Sequence, residues 1–367
     1  MKVAINCRNL TAPKLEGFGN YTFEIVSRWI ESHPEVEFLL IYDRKPQHFL
    51  PMLQNVKECV IPPATRHPIL YFIWFEFQLT RLLRREKVDL FFSPDGYSSL
   101  GSKVKKVITI HDLNFEHNPK DLPFVVRNYL RCFFPKFARK ADHILTVSAY
   151  SKNDIVKAYA IDPSKISVVY NAPNPIYAPV SESEKQAVRI EYTKGKPFFL
   201  FVGSLHPRKN VQRLLEAFSM LDNPPADLVI VGKKMWKNTD IQLPEKNQAQ
   251  VHFVGYLDKE KLAKVMGSAL ALTYVPYFEG FGIPMVEAMA CGTPLIAANA
   301  TCLPEIAGDA ALYCDPFSIK DIHAAMEQLL NDGELRETLK QKGLERVKNF
   351  SWDKAAKEAW EKLQTVF

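Results

Sequence analysis

Residues 270–290 read Leu-Ala-Leu-Thr-Tyr-Val-Pro-Tyr-Phe-Glu-Gly-Phe-Gly-Ile-Pro-Met-Val-Glu-Ala-Met-Ala. The apolar run 270–273 reads as a short strand. Glu279 follows, then the glycine-bracketed turn Gly280-Phe281-Gly282, then Pro284 inside an apolar stretch that continues past Glu287. Proline suits the first turn of a helix, where its missing N–H would have had no partner. The segment is therefore a strand, a tight loop and a helix that begins near Ile283. A helix start offers unpaired N–H groups and about half a positive charge, which makes a natural anion site. Glu279 stands at the mouth of that site and Glu287 about one turn inside the helix. An anion site with two flanking carboxylates suits a phosphate beside a hydroxyl-rich group; the alternative is a solvated pair of glutamates.

The same grammar runs through the chain. Strands are expected at 2–5, 38–42, 90–93, 106–110, 143–147 and 166–169, with helices at 20–32, 71–86, 122–140 and 149–159. Pro173, Pro175 and Pro179 then mark a linker. Strands follow at 198–202, 227–231, 252–254, 270–273 and 295–297, with helices at 211–220, 259–268, 284–290, 319–331 and 334–348. Short apolar strands alternating with helices predict parallel sheets covered on both faces. The fold class is α/β, with two doubly wound domains and a cleft between them. Ligands of such sheets bind beyond the carboxyl ends of the strands. Ser351 is a plausible N-cap for a last helix, on which Trp352, Ala356 and Trp360 share one face.

The spacing Glu279, seven residues, Glu287 around Gly-Phe-Gly-Ile-Pro, followed by Ala288-Met289-Ala290-Cys291-Gly292-Thr293-Pro294, closely resembles the retaining glycosyltransferases of family 4. So do Phe201-Val202-Gly203-Ser204-Leu205-His206-Pro207-Arg208-Lys209-Asn210, His111-Asp112-Leu113, Val147-Ser148-Ala149-Tyr150-Ser151, Gly17-Phe18-Gly19-Asn20-Tyr21 and the stretch 303–311. The resemblance implies a GT-B fold of two Rossmann-like domains: 1–175 for the acceptor, with 351–367 crossing back to it, and 176–350 for a nucleotide-sugar donor.

It also implies roles. Arg208 and Lys209 would hold the donor diphosphate, Arg through its fork and Lys as a point charge. Together with the helix start at Gly282 and Ile283 they would neutralise the leaving group. Glu287 would accept from ribose hydroxyls. Glu279 would bind a sugar hydroxyl or stabilise positive charge at the anomeric carbon. His111 would touch the donor sugar, and Asn20, Tyr21 and His111 the acceptor. Gly17, Gly19, Gly203, Gly280 and Phe281 would bring backbone to the donor, and Tyr256 would lie near its base. Ser148 and Ser151 line the cleft or cap a helix. The chain has no Asp-x-Asp motif, so no metal is expected, and no cofactor beyond the nucleotide-sugar co-substrate. Two positions depart from the family pattern. Ala172 follows Asn171 where glycine is frequent, and Tyr274-Val275-Pro276-Tyr277-Phe278 is bulky.

Composition sets the frame. Over 367 residues, 47% hydrophobic and 24% charged content fits a globular protein with full cores. No run of 18 apolar residues predicts a membrane span, and the N-terminal stretch lacks the apolar core of a signal peptide. Six scattered cysteines form no Cys-x-x-Cys pair, so neither a zinc site nor a disulfide framework is implied, which suits a cytoplasmic protein. Residues 1–180 carry 24 Lys/Arg against 17 Asp/Glu, whereas 181–367 carry 23 against 24. A basic first half attracts anionic surfaces. The aromatic run 71–77 ahead of Arg81, Arg84 and Arg85 either meets a lipid interface or packs into the core. No nucleic-acid-binding signature is present. The expectation is a cytoplasmic glycosyltransferase, peripheral at the inner membrane face. Its first expected donor is GDP-mannose, and its acceptor a saccharide or lipid-linked saccharide. UDP-sugars, a nucleotide-sugar epimerase or phosphorylase, and a non-catalytic subunit stand as alternatives.

Overall fold

The computed structural model describes residues 1–15, 17–233 and 241–367. Its strands are β1 (Lys2–Asn6), β2 (Glu37–Tyr42), β3 (Val56–Val60), β4 (Leu90–Ser93), β5 (Lys105–Thr109), β6 (His143–Thr146), β7 (Ile166–Val168), β8 (Phe198–Val202), β9 (Asp227–Val231), β10 (Val251–Gly255), β11 (Ala271–Tyr274), β12 (Leu295–Ala298) and β13 (Ala311–Cys314). They form two sheets, ordered β3-β2-β1-β4-β5-β6-β7 and β10-β9-β8-β11-β12-β13. Neighbours in both are parallel, as in β1 with β4 and β8 with β11. Strands β4, β8, β9, β11 and β12 are buried at every position, which is why they read as unbroken apolar runs such as Phe-Phe-Leu-Phe-Val in β8.

The chain divides into two compact units, residues Met1–Asn171 with Ser351–Phe367, and Ala172–Phe350. The division lies a few residues ahead of the boundary expected from the prolines. The C-terminal helix Trp352–Gln364 belongs to the first unit. Ser351 caps it by accepting from the Lys354 N–H. Its apolar face meets the helix Gly17–Ser32: the Trp29 indole donates to the Ala356 carbonyl at 2.8 Å, and Trp360 stacks on His33 with centroids 4.1 Å apart.

Several elements differ from expectation. Helix 17–32 starts at Gly17, so Gly17-Phe18-Gly19 is its first turn and not a strand–helix loop. The expected helix 71–86 begins at Pro68 and passes through a π-helical stretch, Trp74–Leu79. Trp74 and Phe75 of this aromatic run enter the core, while Phe72 and Phe77 are exposed, so core packing and exposure each hold for one face. Strands β3 and β13, and helices Glu182–Thr193 and Leu303–Ala307, were not expected.

Candidate active site

In each unit the sheet order reverses once in sequence, between β1 and β4 and between β8 and β11. Loops leaving the carboxyl ends of two such strands diverge to opposite faces and leave a crevice where ligands bind. In the second unit these loops carry the expected cations and the first expected glutamate.

The chain leaves β8 through Gly203 and turns over a short 3₁₀ helix, Pro207–Lys209. Gly203 and Gly232 both have positive φ, +151° and +155°, and a Cβ on Gly232 would overlap the Gly203 carbonyl oxygen. Glycine is therefore required at 232, where the ends of β8 and β9 nearly touch. The β8 loop is fastened to β11 and to the loop that follows it. The Tyr277 N–H donates to the Arg208 carbonyl at 3.1 Å. Asn210 Nδ2 donates to the Val275 carbonyl at 2.9 Å and also to that of Pro316 at 2.7 Å. Lys209 Nζ donates to the Tyr274 hydroxyl at 2.7 Å.

These bonds bring two cations onto one carboxylate. Lys209 Nζ donates to Glu279 Oε1, and an Arg208 guanidinium nitrogen stands 3.7 Å from Glu279 Oε2. Glu279 is only 7% exposed. Burial pushes its carboxyl up, but Arg208 and Lys209 outweigh burial and hold it below the usual carboxylate range. Burial and then the Glu279 charge raise the Tyr274 phenol, which hydrogen-bonds the same carboxylate. The Cys302 thiol donates to the Glu279 carbonyl at 3.3 Å, which fixes the backbone at the same residue. Arg208, Lys209 and Glu279 are thus one ion-paired cluster.

The helix after this loop is Ile283–Ala290, with Gly282 as its N-cap at φ +89° and no side chain capping it. Phe281 turns its ring inward, edge-on to Phe350. What Gly280, Phe281 and Ile283 can offer a ligand is therefore mainly backbone. Glu287 lies one turn inside the helix, as expected. Burial raises its carboxyl to about 8, against a smaller opposing effect of a hydrogen bond from Tyr177. Tyr256 is exposed, with Lys233 Nζ 5.9 Å from its ring centroid.

In the first unit His111 follows β5. Its Nε2 lies 2.8 Å from the Pro94 carbonyl oxygen. A carbonyl only accepts, so Nε2 carries the proton and Nδ1 is left as the acceptor nitrogen. Burial lowers the imidazole's affinity for a second proton. Phe18 and Tyr21 flank the ring with centroids 4.7 and 4.8 Å away. Ser148 caps the helix Ala149–Tyr159 through the Ser151 N–H, and the Ser151 hydroxyl donates to the His111 carbonyl. Ser148 is thus a capping residue. Tyr21 requires correction as an acceptor contact: it is 1% exposed and its hydroxyl pairs with Thr109 at 3.2 Å. Its visible role is to orient His111. Asn20 Nδ2 approaches the Leu15 carbonyl at 3.4 Å. A Cβ added to Gly17 would meet no heavy atom within 4 Å, whereas one on Gly19 would meet Leu15 at 2.9 Å.

Sequence reasoning missed Tyr177 and the bridging part of Tyr274. It also missed a buried network of Asn6, Arg8 and Asp95 behind the Pro94 carbonyl, in which Arg8 pairs with Asp95 at 2.7 Å. Two polar residues flanking Cys7 at the end of β1, Asn6 and Arg8, were the available signal.

Two Rossmann-like units with a cationic cluster at a switch point define the GT-B class of glycosyltransferases. The chain belongs to the family 4, or group 1, glycosyltransferases: "Glycosyltransferase Family 4" matches residues 15–175 and "Glycosyl transferases group 1" matches 182–346. It is 28% identical to the O-antigen chain mannosyltransferase B of Escherichia coli, over 96% of this chain and 97% of that protein. It is also 28% identical to the O-antigen chain mannosyltransferase RfbU of Salmonella typhimurium, over 61% and 60% of the two chains. Among solved structures, HepE of Anabaena in complex with UDP-glucose superposes with a TM-score of 0.80 at 17% identity, covering both chains fully. WaaG, a glycosyltransferase involved in lipopolysaccharide biosynthesis, gives 0.76 at 17% identity, over 97% and 98% of the two chains.

Proposed function

We propose that the protein is a retaining, metal-independent hexosyltransferase. It takes mannose from GDP-mannose and adds it to a saccharide or lipid-linked saccharide in surface-polysaccharide or glycoconjugate synthesis, at the cytoplasmic side of a membrane. The observation that carries this reading is the Arg208–Lys209–Glu279 cluster, built on the buried Lys209 and Glu279, at the switch point of the second unit. Two cations there can take up the charge of a departing diphosphate, the work a divalent ion would otherwise do. The donor phosphate competes with Glu279 for them, and Glu279 is released toward the sugar. Gly203 and the backbone of Gly280–Ile283 approach the phosphates, Glu287 accepts from ribose, and Tyr256 meets the base. In the first unit the helix start at Gly17 and Gly19, Asn20 and neutral His111 serve the sugar and its acceptor.

The mannosyl donor is supported by the names of the two relatives, and the saccharide acceptor by the same names. A UDP-sugar is the second reading, favoured by the likeness to HepE with UDP-glucose. The test is incubation with GDP-mannose or UDP-glucose, EDTA and a mannose-terminated oligosaccharide, followed by NMR of the product. Transfer of an α-linked mannose with release of GDP is expected. Inversion, a strict need for a divalent ion, transfer from UDP-glucose alone, or a product formed without acceptor would each overturn the corresponding part.

A further inference from the structure

Two helical stretches of the first unit, residues 68–85 and 124–140, lie side by side. Phe72 meets Phe133 with centroids 5.8 Å apart, and Tyr71 meets Tyr129 at 5.8 Å. Their inner faces are core. Their outer faces carry large apolar side chains in the open: Ile69 is 62% exposed, Phe77 60%, Phe124 67%, and Phe72 and Val125 are also exposed. Phe72 and Phe77 lie with ring centroids 5.9 Å apart, and exposed apolar clusters of this kind mark sites of association.

The charges carried by the two stretches are almost all positive. Residues 124–140 hold Arg127, Arg131, Lys136, Arg139 and Lys140 and no carboxylate. Residues 68–85 hold Arg81, Arg84 and Arg85 and a single carboxylate, Glu76. Glu76 is committed inward, accepting from the Leu100 and Gly101 N–H groups at 2.8 Å each. Among the described residues Arg131 and Arg85 do meet carboxylates, Glu116 and Glu86. Arg127 lies over the Phe124 ring at 5.1 Å and Lys136 over Phe133 at 5.4 Å, so cations and aromatics are interleaved.

We propose that this face docks the protein on an anionic lipid bilayer, with Phe72, Phe77 and Phe124 entering the headgroup boundary and Arg127, Lys136 and Arg81 meeting acidic headgroups. The occupant must supply both negative charge and an apolar layer, and a bilayer supplies both. A folded protein would need a matching excess of carboxylates beside an apolar patch. A nucleic acid offers no complement to Ile69 and Val125, which have no stacking plane. No helix among the described residues is long and apolar enough to cross a membrane, so the contact is peripheral. The inference rests on the proposed function only for its purpose, since a lipid-linked acceptor would lie at such a surface.

The test is flotation of the full chain with phosphatidylcholine vesicles and with vesicles containing phosphatidylglycerol, at low and high salt. The variants are Phe72→Ser with Phe77→Ser, and Arg127→Gln with Lys136→Gln. Binding is expected only to the anionic vesicles, weakened by salt. Each cation removed should weaken it about fivefold, the effect of one basic group near a charged membrane. The serine pair should also reduce it. An unchanged nucleotide-induced thermal shift in each variant shows that fold and donor site survive, so loss of vesicle binding is read separately from failure of the transferase reading. No binding, equal binding to neutral vesicles, or variants that bind like the parent would overturn the proposal. So would self-association, or retention on RNA, that the same variants abolish.

Discussion

The ammonium of Lys209 stands 2.7 Å from the hydroxyl of Tyr274, and both groups close on the carboxylate of Glu279. Lys209 and Glu279 are both buried, so neither charge is comfortable without the other. Lys209→Ala should destabilise the second unit by about 3–5 kcal/mol, the usual result of stripping one partner from a buried ion pair. Glu279→Ala strands the Lys209 ammonium in the same way, so it should also cost stability, besides lowering turnover. The double substitution should cost less than the sum of the two, with a coupling of about 0.5–3 kcal/mol. Urea unfolding of the four proteins measures it; strict additivity would dissolve the cluster as a unit.

Two glycines should behave oppositely. Gly232→Ala places a methyl group on the Gly203 carbonyl oxygen and cannot relax by moving a side chain. A loss above about 3 kcal/mol is expected, at the large end for single substitutions. Gly17→Ala meets open space at the first position of a helix and should gain about 0.4–1 kcal/mol through the unfolded chain. If Gly17 backs the donor or acceptor, the alanine variant will be stable yet slower. Thermal melts and initial rates, taken together, separate the two effects.

Glu287 makes stability fall with rising pH. Its carboxyl holds a proton up to about 8 in the fold, against an ordinary value of 4.5. The folded state therefore binds more protons than the unfolded state between these values, and the stabilisation present below 4.5 is lost as pH rises toward 8. Glu287→Gln should flatten this slope in melts taken across the window. Ribose hydroxyls donating to the carboxylate would also expel the proton. Nucleotide binding at neutral pH should then release protons, visible by calorimetry in buffers of different ionisation enthalpy. Unchanged nucleotide affinity in Glu287→Ala would remove Glu287 from the ribose.

His111 should act as a neutral group. Burial holds its titration below 6.5, and Pro94 keeps the proton on Nε2. Turnover should be flat above that pH as far as this residue is concerned, and fall as the ring becomes charged. His111→Ala should cost up to about tenfold in turnover, one hydrogen bond's worth, and leave nucleoside diphosphate affinity unchanged. Turnover that rises on acidification would assign the imidazolium instead.

Much of the fold was legible because the central strands are apolar on both faces and the key helices carry their own start signals. Pro284 marked the helix Ile283–Ala290, and Ser351 marked the last one. The missed strands β3 and β13 are sheet edges, where half-buried alternation such as Val-Lys-Glu-Cys-Val resembles a loop. The helix Glu182–Thr193 had a readable sign, the Ser181–Glu184 capping box. The π-helical turn at Trp74–Leu79 had none, because one extra residue in a turn leaves the apolar pattern nearly intact. Arg208, Lys209 and Glu279 could be picked from their motifs. Their pairing could not, since it spans 70 residues of chain and depends on two loops meeting at a switch point.

Everything proposed for this site depends on the cationic cluster binding a nucleoside diphosphate without a metal. The decisive experiment is thermal unfolding with GDP, UDP, ADP and their sugars, with and without EDTA. A ligand at about 100 times its dissociation constant adds roughly 2.7 kcal/mol to a protein that binds it only when folded. A rise of several degrees is expected with GDP or GDP-mannose, unaffected by EDTA and lost in Arg208→Ala. No shift with any nucleotide, or a shift that EDTA abolishes, would contradict the metal-free cluster.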